Sequence, residues 1–196
     1  MTRLLILVVA LFAAGCGSSS TAPTAPSVPN TAPLVFAGQS SAMFDCPFLT
    51  AAYPGPVRCV SEGATSIVLY EPGGAHWPEM LAATTPDVRA IVWWLGETDG
   101  LNGMTTEFAA HLTAEFTTLR RLAQNPRLPI VMVRILPEPE FDRIRPVQVA
   151  WARADCCTTL LVSDDLPRRP PAEGSYHLTD AGYAVMAQRI ITALPR

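Results

Sequence analysis

The chain has 196 residues, of which 49% are hydrophobic, so it is long and apolar enough to bury the core of one domain. Its formal net charge is −3 at pH 7, and all 14 of its basic residues are arginine. This charge balance excludes the strongly basic surface that is typical of nucleic-acid-binding proteins.

Residues 1–15 have the pattern of an export signal. Arg3 supplies a positive start, and residues 4–14 form an apolar segment that is too short to span a bilayer. The junction Ala14-Gly15-Cys16 resembles the lipobox of bacterial lipoproteins, which implies that Cys16 is the lipidated first residue of the mature protein. A plain secretory peptide is the alternative. Both patterns predict export, with the lipoprotein anchored to the bacterial membrane and facing the periplasm or the cell surface.

Residues 16–33 are mainly serine, threonine, alanine and proline with almost no core-forming side chains, which indicates a tether. As a flexible coil this stretch would reach roughly 20–25 Å. We therefore expect one folded domain over residues 34–196, attached to the membrane only through the lipid.

The folded part opens with the apolar run Pro33–Ala37, which predicts a buried strand. Gly38 permits a sharp turn, and Ser40 falls where a helix would begin. A serine in that position has free backbone N–H groups and the positive end of a helix dipole beside its Oγ, which suits a nucleophile that generates an oxyanion. The alternative is that Ser40 only caps the N-terminus of the helix.

The cysteines suggest one cross-link, although four mature cysteines allow three full pairings. Cys46 and Cys59 flank a proline-rich turn, and in an exported protein this arrangement suggests a disulfide. Cys156 and Cys157 are neighbours, which rarely bond to each other without strain, so their pairing stays open. No Cys-x-x-Cys spacing or nearby histidine supports a metal site.

Apolar runs and helical periodicity predict the remaining elements. We expect helices containing Phe108, over 143–155 and from Thr179, and strands over 66–70, 88–95, 128–136 and 158–162. This alternation predicts an α/β fold, a three-layer α/β/α sandwich with a five-stranded parallel sheet. Such sheets bind ligands at the carboxyl ends of their strands, where we expect Ser40, Gly74, Glu97 and His177.

Four sequence blocks, in order, resemble those of the SGNH hydrolases, and within them the sialate O-acetylesterase and acetylxylan esterase branch. The blocks are Gly38-Gln39-Ser40, Gly73-Gly74 after the predicted strand over 66–70, the stretch 94–99 (WLGETD) and the stretch 176–183 (YHLTDAGY). The resemblance implies a flavodoxin-like fold, Ser40 as nucleophile, His177 as base and no cofactor. It also implies an oxyanion hole that includes the N–H groups of Ser40 and Gly74.

The chain departs from the family pattern around the oxyanion hole. Ser41 stands where the branch has asparagine, and Leu95 replaces a glutamine of the third block. Thr98 occupies the place of the superfamily's oxyanion asparagine, and its hydroxyl is a less well placed donor. Because losing one oxyanion donor typically costs about 10²–10³ in rate, these departures predict modest activity.

The acid of the catalytic triad is the largest departure. The superfamily has aspartate three residues before the histidine, where this chain has Gly174. Glu97 in the third block and Glu173, four residues before His177, are the two candidates. We favour Glu97, because it follows the most apolar strand and its backbone should be held firmly. This choice predicts a Glu97 oxygen within hydrogen-bond reach of the His177 ring.

Together these features predict a monomeric serine esterase that removes a small acyl group, in the simplest case acetyl, from a carbohydrate. A lipase-like or thioesterase-type SGNH hydrolase of longer acyl esters is one alternative, which a long apolar channel would favour. The other is a surface lipoprotein that kept the fold and lost turnover, which the departures at Ser41, Leu95 and Gly174 support.

Overall fold

The computed structural model describes residues 30–173 and 176–195. The predicted signal segment, the lipidation residue Cys16 and most of the predicted tether lie outside the described residues. Among the helices of the described part, none has both the length and the apolar character needed to cross a membrane.

The fold is a five-stranded, all-parallel sheet with helices on both faces, as the sequence predicted. The strand order is β2-β1-β3-β4-β5. The strands are β1 (Leu34–Gly38), β2 (Val57–Ser61), β3 (Ala90–Trp94), β4 (Ile130–Val133) and β5 (Thr158–Leu161). The helices are α1 (Ser40–Ala52), α2 (Trp77–Ala83), α3 (Glu97–Leu101), α4 (Phe108–Leu122), α5 (Ile144–Ala154) and α6 (Asp180–Ala193).

Two neighbouring tryptophans of β3 define the two faces of the sheet. Trp93 packs edge-on against Phe116 of α4, and Trp94 packs against Tyr183 of α6. Because successive side chains of a strand point to opposite faces, α4 and α6 cover opposite sides of the sheet. Helix α1 packs beside α6, and α5 packs beside α4, which completes the three layers.

The predicted strand over residues 66–70 is wrong, because the chain forms a 3-10 turn there at Ile67–Leu69. The Asp99 carboxylate accepts hydrogen bonds from the Ser66 hydroxyl (2.5 Å) and the Ile67 N–H (3.1 Å), which fixes the start of this turn. The buried side chains are therefore Ile67 and Tyr70, three residues apart, rather than alternate residues. The missing strand is β2, an edge strand whose half-exposed side chains give little apolar signal.

A close backbone contact shapes the turn between β1 and α1. Gly38 has φ +153°, and a Cβ at this position would lie 2.0 Å from the Trp94 carbonyl oxygen at the end of β3. The next N–H, that of Gln39, donates to the same carbonyl at 3.1 Å. Only glycine allows this approach, and the turn places Ser40 as the first residue of α1.

A disulfide joins Cys46 of α1 to Cys59 of β2, the pairing that the sequence suggested, with the two Cα atoms 6.3 Å apart. Cys156 and Cys157 are free thiols in the turn before β5, with their sulfur atoms 2.7 Å apart. The disulfide therefore ties the helix that begins with Ser40 to the edge strand.

Replacing both Cys46 and Cys59 with alanine should lower the free energy of unfolding by about 3 kcal/mol, because the cross-link restricts a short loop of the unfolded chain. Denaturant unfolding without reductant measures this loss. The matched control, Cys156→Ser with Cys157→Ser, should leave stability nearly unchanged. Equal losses in the two double variants would contradict the prediction.

Candidate active site

The structure brings Ser40 and His177 into direct contact. The Ser40 Oγ and the His177 Nε2 are 2.8 Å apart, although the two residues are separated by 137 positions in the sequence. Ser40 follows β1, and His177 lies in the connection between β5 and α6. A hydroxyl hydrogen-bonded to an imidazole at the carboxyl ends of parallel strands is the arrangement that an activated serine requires.

Aromatic packing and one arginine hold the His177 ring. Phe44 of α1 meets the ring edge-on with centroids 5.0 Å apart, and Tyr176 lies 4.4 Å away. The Arg169 guanidinium covers the Phe44 ring at 4.6 Å. The backbone N–H of Arg169 donates to the His177 backbone carbonyl at 2.9 Å. Sequence reasoning assigned no role to Phe44 or Arg169, because neither belongs to a recognisable block.

The surroundings of His177 favour its neutral ring. Desolvation lowers the pKa of His177 below its usual value of 6.5, and the positive charge of Arg169 lowers it further. A general base must be unprotonated to accept a proton, so this shift extends the active form of His177 to more acidic pH.

Neither predicted acid reaches the histidine. Within residues 30–173 and 176–195, no carboxylate oxygen lies within 4.0 Å of a His177 ring nitrogen. Glu97 Oε1 instead accepts from the Ser41 hydroxyl at 3.5 Å, and Glu173 is exposed in the 3-10 turn Pro171–Glu173. The expected contact between Glu97 and His177 is therefore not met, and the described residues provide a serine–histidine dyad.

Glu97 is a buried acid whose surroundings favour its neutral form. Its side chain is only 4% exposed, and its Oε2 has no hydrogen-bond partner among the described residues. Desolvation, helped by the charge of Asp99, raises the pKa of Glu97 to about 8. A neutral carboxyl cannot stabilise an imidazolium as an ionised triad acid does. Glu97 supports the segment after Ser40 through its contact with Ser41.

The predicted oxyanion role of Gly74 is wrong. The Gly74 N–H donates to the Glu71 carbonyl at 2.8 Å, and Gly74 does not line the cavity in front of Ser40. Gly63, which follows β2, takes that place, since a Cβ on Gly63 would lie 3.9 Å from the Ser40 Cβ. The predicted second strand lies over 66–70 and is followed by Gly74, whereas the actual strand β2 is followed by Gly63.

The turn after β2 brings to the cavity that Ser40 lines backbone N–H groups that have no partner within the described residues. Gly63 and Ala64 both line the cavity, and Ala64 has the left-handed backbone angle φ 59°. Among the described residues neither N–H has a hydrogen-bond partner within the protein. A non-glycine residue in this conformation is costly and is often found at functional sites.

Thr98 and Gln39 connect the third block to the nucleophile turn. The Thr98 N–H donates to Gln39 Oε1 at 3.3 Å, and both residues line the cavity. The Gln39 side chain therefore has a positioning role. The Thr98 side chain lies at the site, and its role as an oxyanion donor stays a prediction.

The cavity in front of Ser40 has a volume of about 610 Å³. Its lining combines the catalytic pair with polar, acidic and aromatic side chains: Gln39, Ser40, Gly63, Ala64, Glu97, Thr98, Leu101, Glu138, Glu140, Phe141, Tyr176 and His177. The loop after β4 was missed by sequence reasoning, although its acidic and aromatic stretch 138–141 (EPEF) at a strand end was an available signal. In the described part of the chain, no group of three or more potential metal-binding residues is arranged to hold an ion.

Because neither glutamate contacts His177, Glu97→Gln and Glu173→Gln should each keep kcat within about tenfold of the wild-type value. Loss of a true triad acid costs about 10⁴ in kcat. Steady-state hydrolysis of nitrophenyl acetate, with circular dichroism to verify folding, measures the difference. A folded Glu97→Gln variant that loses several orders of magnitude would restore the triad in which Glu97 is the acid.

The pH profile should report the lowered pKa of His177. Protonation removes the base, so kcat/KM should fall on acidification with a midpoint below pH 6.5. Arg169→Gln should move this midpoint upward, because it removes a positive charge that disfavours imidazolium. The control Arg189→Gln changes an arginine that pairs with Asp165 and should leave the midpoint in place. A wild-type midpoint above 6.5 would contradict the assignment.

Several solved structures share this fold. A protein of Arabidopsis thaliana has a TM-score of 0.63 at 18% identity, covering 77% of this chain and 68% of its own. A carbohydrate acetylesterase of Xanthomonas citri has a TM-score of 0.58 at 15% identity, over 78% of this chain and 39% of its own. A proposed SGNH hydrolase of Slackia heliotrinireducens has a TM-score of 0.61 at 14% identity, covering 83% of this chain and 98% of its own. The chain has no significant match among curated protein sequences.

The sequence comparison identifies a family. Residues 53–195 match the sequence model of the family described as carbohydrate esterase, sialic acid-specific acetylesterase. The match begins after Ser40 and includes both Glu97 and His177. Since it extends over most of the chain, the protein belongs to this family of carbohydrate esterases and is a carboxylic ester hydrolase with the SGNH fold.

Proposed function

We propose that the protein is a serine esterase that removes small acyl groups, chiefly acetyl, from a carbohydrate through an acyl-enzyme on Ser40. The observation that carries this proposal is the 2.8 Å contact between Ser40 Oγ and His177 Nε2 at the mouth of the cavity. The family match supports the carbohydrate ester as substrate class.

The reaction follows from the positions of these two side chains. Ser40 Oγ attacks the ester carbonyl carbon while His177 Nε2 takes the hydroxyl proton. The tetrahedral intermediate then breaks the bond to the sugar oxygen, which receives the proton from His177. Water attacks the acyl-enzyme by the same route, again giving its proton to His177, and the carboxylic acid leaves as Ser40 is restored.

Backbone donors next to Ser40 can stabilise the oxyanion. The Ser40 N–H lies at the N-terminus of the 13-residue helix α1, whose dipole favours negative charge. Gly63 lies beside Ser40 on the adjacent turn and replaces Gly74 as the proposed second donor. Thr98 is the proposed side-chain donor. We expect a slower enzyme than one with a complete triad, because the dyad has no ionised carboxylate to stabilise the imidazolium.

The family match favours a carbohydrate esterase over a lipase-like or thioesterase-type hydrolase. The cavity lining mixes polar and ionisable side chains with the apolar side chains of Ala64, Leu101 and Phe141. A long acyl chain needs a continuous apolar channel, so the acyl length is decided by measurement. The contact between Ser40 and His177 favours turnover over a degenerate protein.

A series of nitrophenyl esters with acetyl, butyryl and octanoyl groups tests the proposal. The wild-type protein should hydrolyse the acetyl ester with the highest kcat/KM, and the octanoyl ester at least tenfold more slowly. Ser40→Ala should reduce hydrolysis of all three esters to background with little change in melting temperature, because one hydroxyl contributes little packing.

The outcomes separate the alternatives. A preference for octanoyl esters would support the lipase-like alternative, and a wild-type protein without activity would support the degenerate one. Hydrolysis that survives in Ser40→Ala would exclude the mechanism itself.

A further inference from the structure

We infer that the sugar accepted by this site carries no carboxylate, and that a sugar with a protonated amine is favoured over a neutral one. The inference deepens the proposed function and rests on it. It comes from the charges that line and surround the cavity.

The described lining residues include three carboxyl side chains and no arginine. Glu97, Glu138 and Glu140 all line the cavity, and the chain contains no lysine. The only basic side chain in the described lining is His177, which must be neutral to act as a base. Residues 174 and 175, which precede Tyr176, are glycine and serine and carry no charge.

The two arginines that approach the site make their contacts outside the cavity. Arg168 donates to Glu138 Oε1 at 3.1 Å and to the Pro137 carbonyl at 3.2 Å. Arg169 donates through Nε to the Leu178 carbonyl at 3.1 Å while it covers Phe44. Neither arginine lines the cavity. An anionic sugar would therefore find no arginine in the described lining to pair with its carboxylate.

Among the described lining residues, Glu140 is the carboxylate whose charge is left uncompensated. Burial raises the pKa of Glu97 and so favours its neutral form, and Arg168 compensates the charge of Glu138. Glu140 is exposed at the cavity and has no ion pair within the described residues. A partly exposed carboxylate repels a second carboxylate and attracts an ammonium group, and salt weakens both effects.

An aromatic surface adjoins this charge. Tyr176 is 45% exposed and packs edge-on against Phe141, with ring centroids 6.4 Å apart. An exposed aromatic ring attracts cations through its face, so Tyr176 and Glu140 favour the same kind of substrate. The family is described by its specificity for sialic acid, which carries a carboxylate, and the described lining of this cavity has no arginine to pair with such a substrate.

Three methyl glycosides acetylated at O-4 test the inference: a glucoside (neutral), a glucosaminide (cationic) and a glucuronide (anionic). An O-acetylated sialic acid serves as a second anion. At low ionic strength, kcat/KM for the cation should exceed that for the anions by about tenfold or more, with the neutral sugar between them. The ratio of kcat/KM for the cationic substrate to kcat/KM for the anionic substrates should decrease as salt is added.

Variants at Glu140 locate the effect. Glu140→Gln should bring the cationic and neutral substrates to within about threefold of each other, and Glu140→Lys should reverse the order of cation and anion. The matched control Glu107→Gln changes an exposed glutamate outside the cavity and should leave the order intact. Equal kcat/KM for all charges in the wild type, or an order that Glu140→Lys does not change, would overturn the inference.

Hydrolysis of nitrophenyl acetate distinguishes this failure from failure of the proposed function. If that hydrolysis depends on Ser40 while the sugars show no charge preference, only the charge inference fails. If the wild type hydrolyses neither nitrophenyl acetate nor any sugar acetate, the proposed esterase function fails with it.

Discussion

The site depends on one backbone contact, the approach of Gly38 to the Trp94 carbonyl where β1 and β3 end side by side. Any side chain at Gly38 would collide with that carbonyl, so the turn exists only with glycine. The contact fixes two segments at once, because Ser40 begins α1 two residues after Gly38 and Glu97 begins α3 three residues after Trp94. The bond from Thr98 to Gln39 then joins these segments a second time.

Much of the fold could be predicted because buried parallel strands and amphipathic helices leave strong patterns. The buried strand β3 is a continuous apolar run, and α4 repeats its core residues at helical spacing. The edge strand β2 leaves no such run, since solvent reaches its side chains. Segment 66–70 has a strand-like composition, but a carboxylate 32 residues away, that of Asp99, bonds to its Ile67 N–H and closes a turn. Composition within a window cannot reveal a contact of that range.

The sequence predicted the reacting pair more reliably than it predicted the groups that support this pair. Ser40 and His177 belong to blocks whose residue types are dictated by chemistry. The direction of the Glu97 side chain depends instead on packing around it, and in the structure it faces Ser41. Burial then favours its neutral form, since no cation among the described residues offsets the cost of an ionised carboxyl there. Arg169 and Glu140 reach the site from loops. The local sequence of a loop does not show which of its residues lie near the site in the folded protein.

The disulfide links the two segments of the chain that meet at the site. Cys46 belongs to the helix that carries Ser40, and Cys59 belongs to the strand that leads into Gly63. The covalent link therefore connects the two segments that supply the proposed oxyanion donors. As an edge strand, β2 pairs with a single neighbouring strand, so without the disulfide noncovalent contacts alone would hold it to the sheet and to α1. The disulfide thus links the two proposed backbone oxyanion donors through the shortest covalent route that the described chain offers.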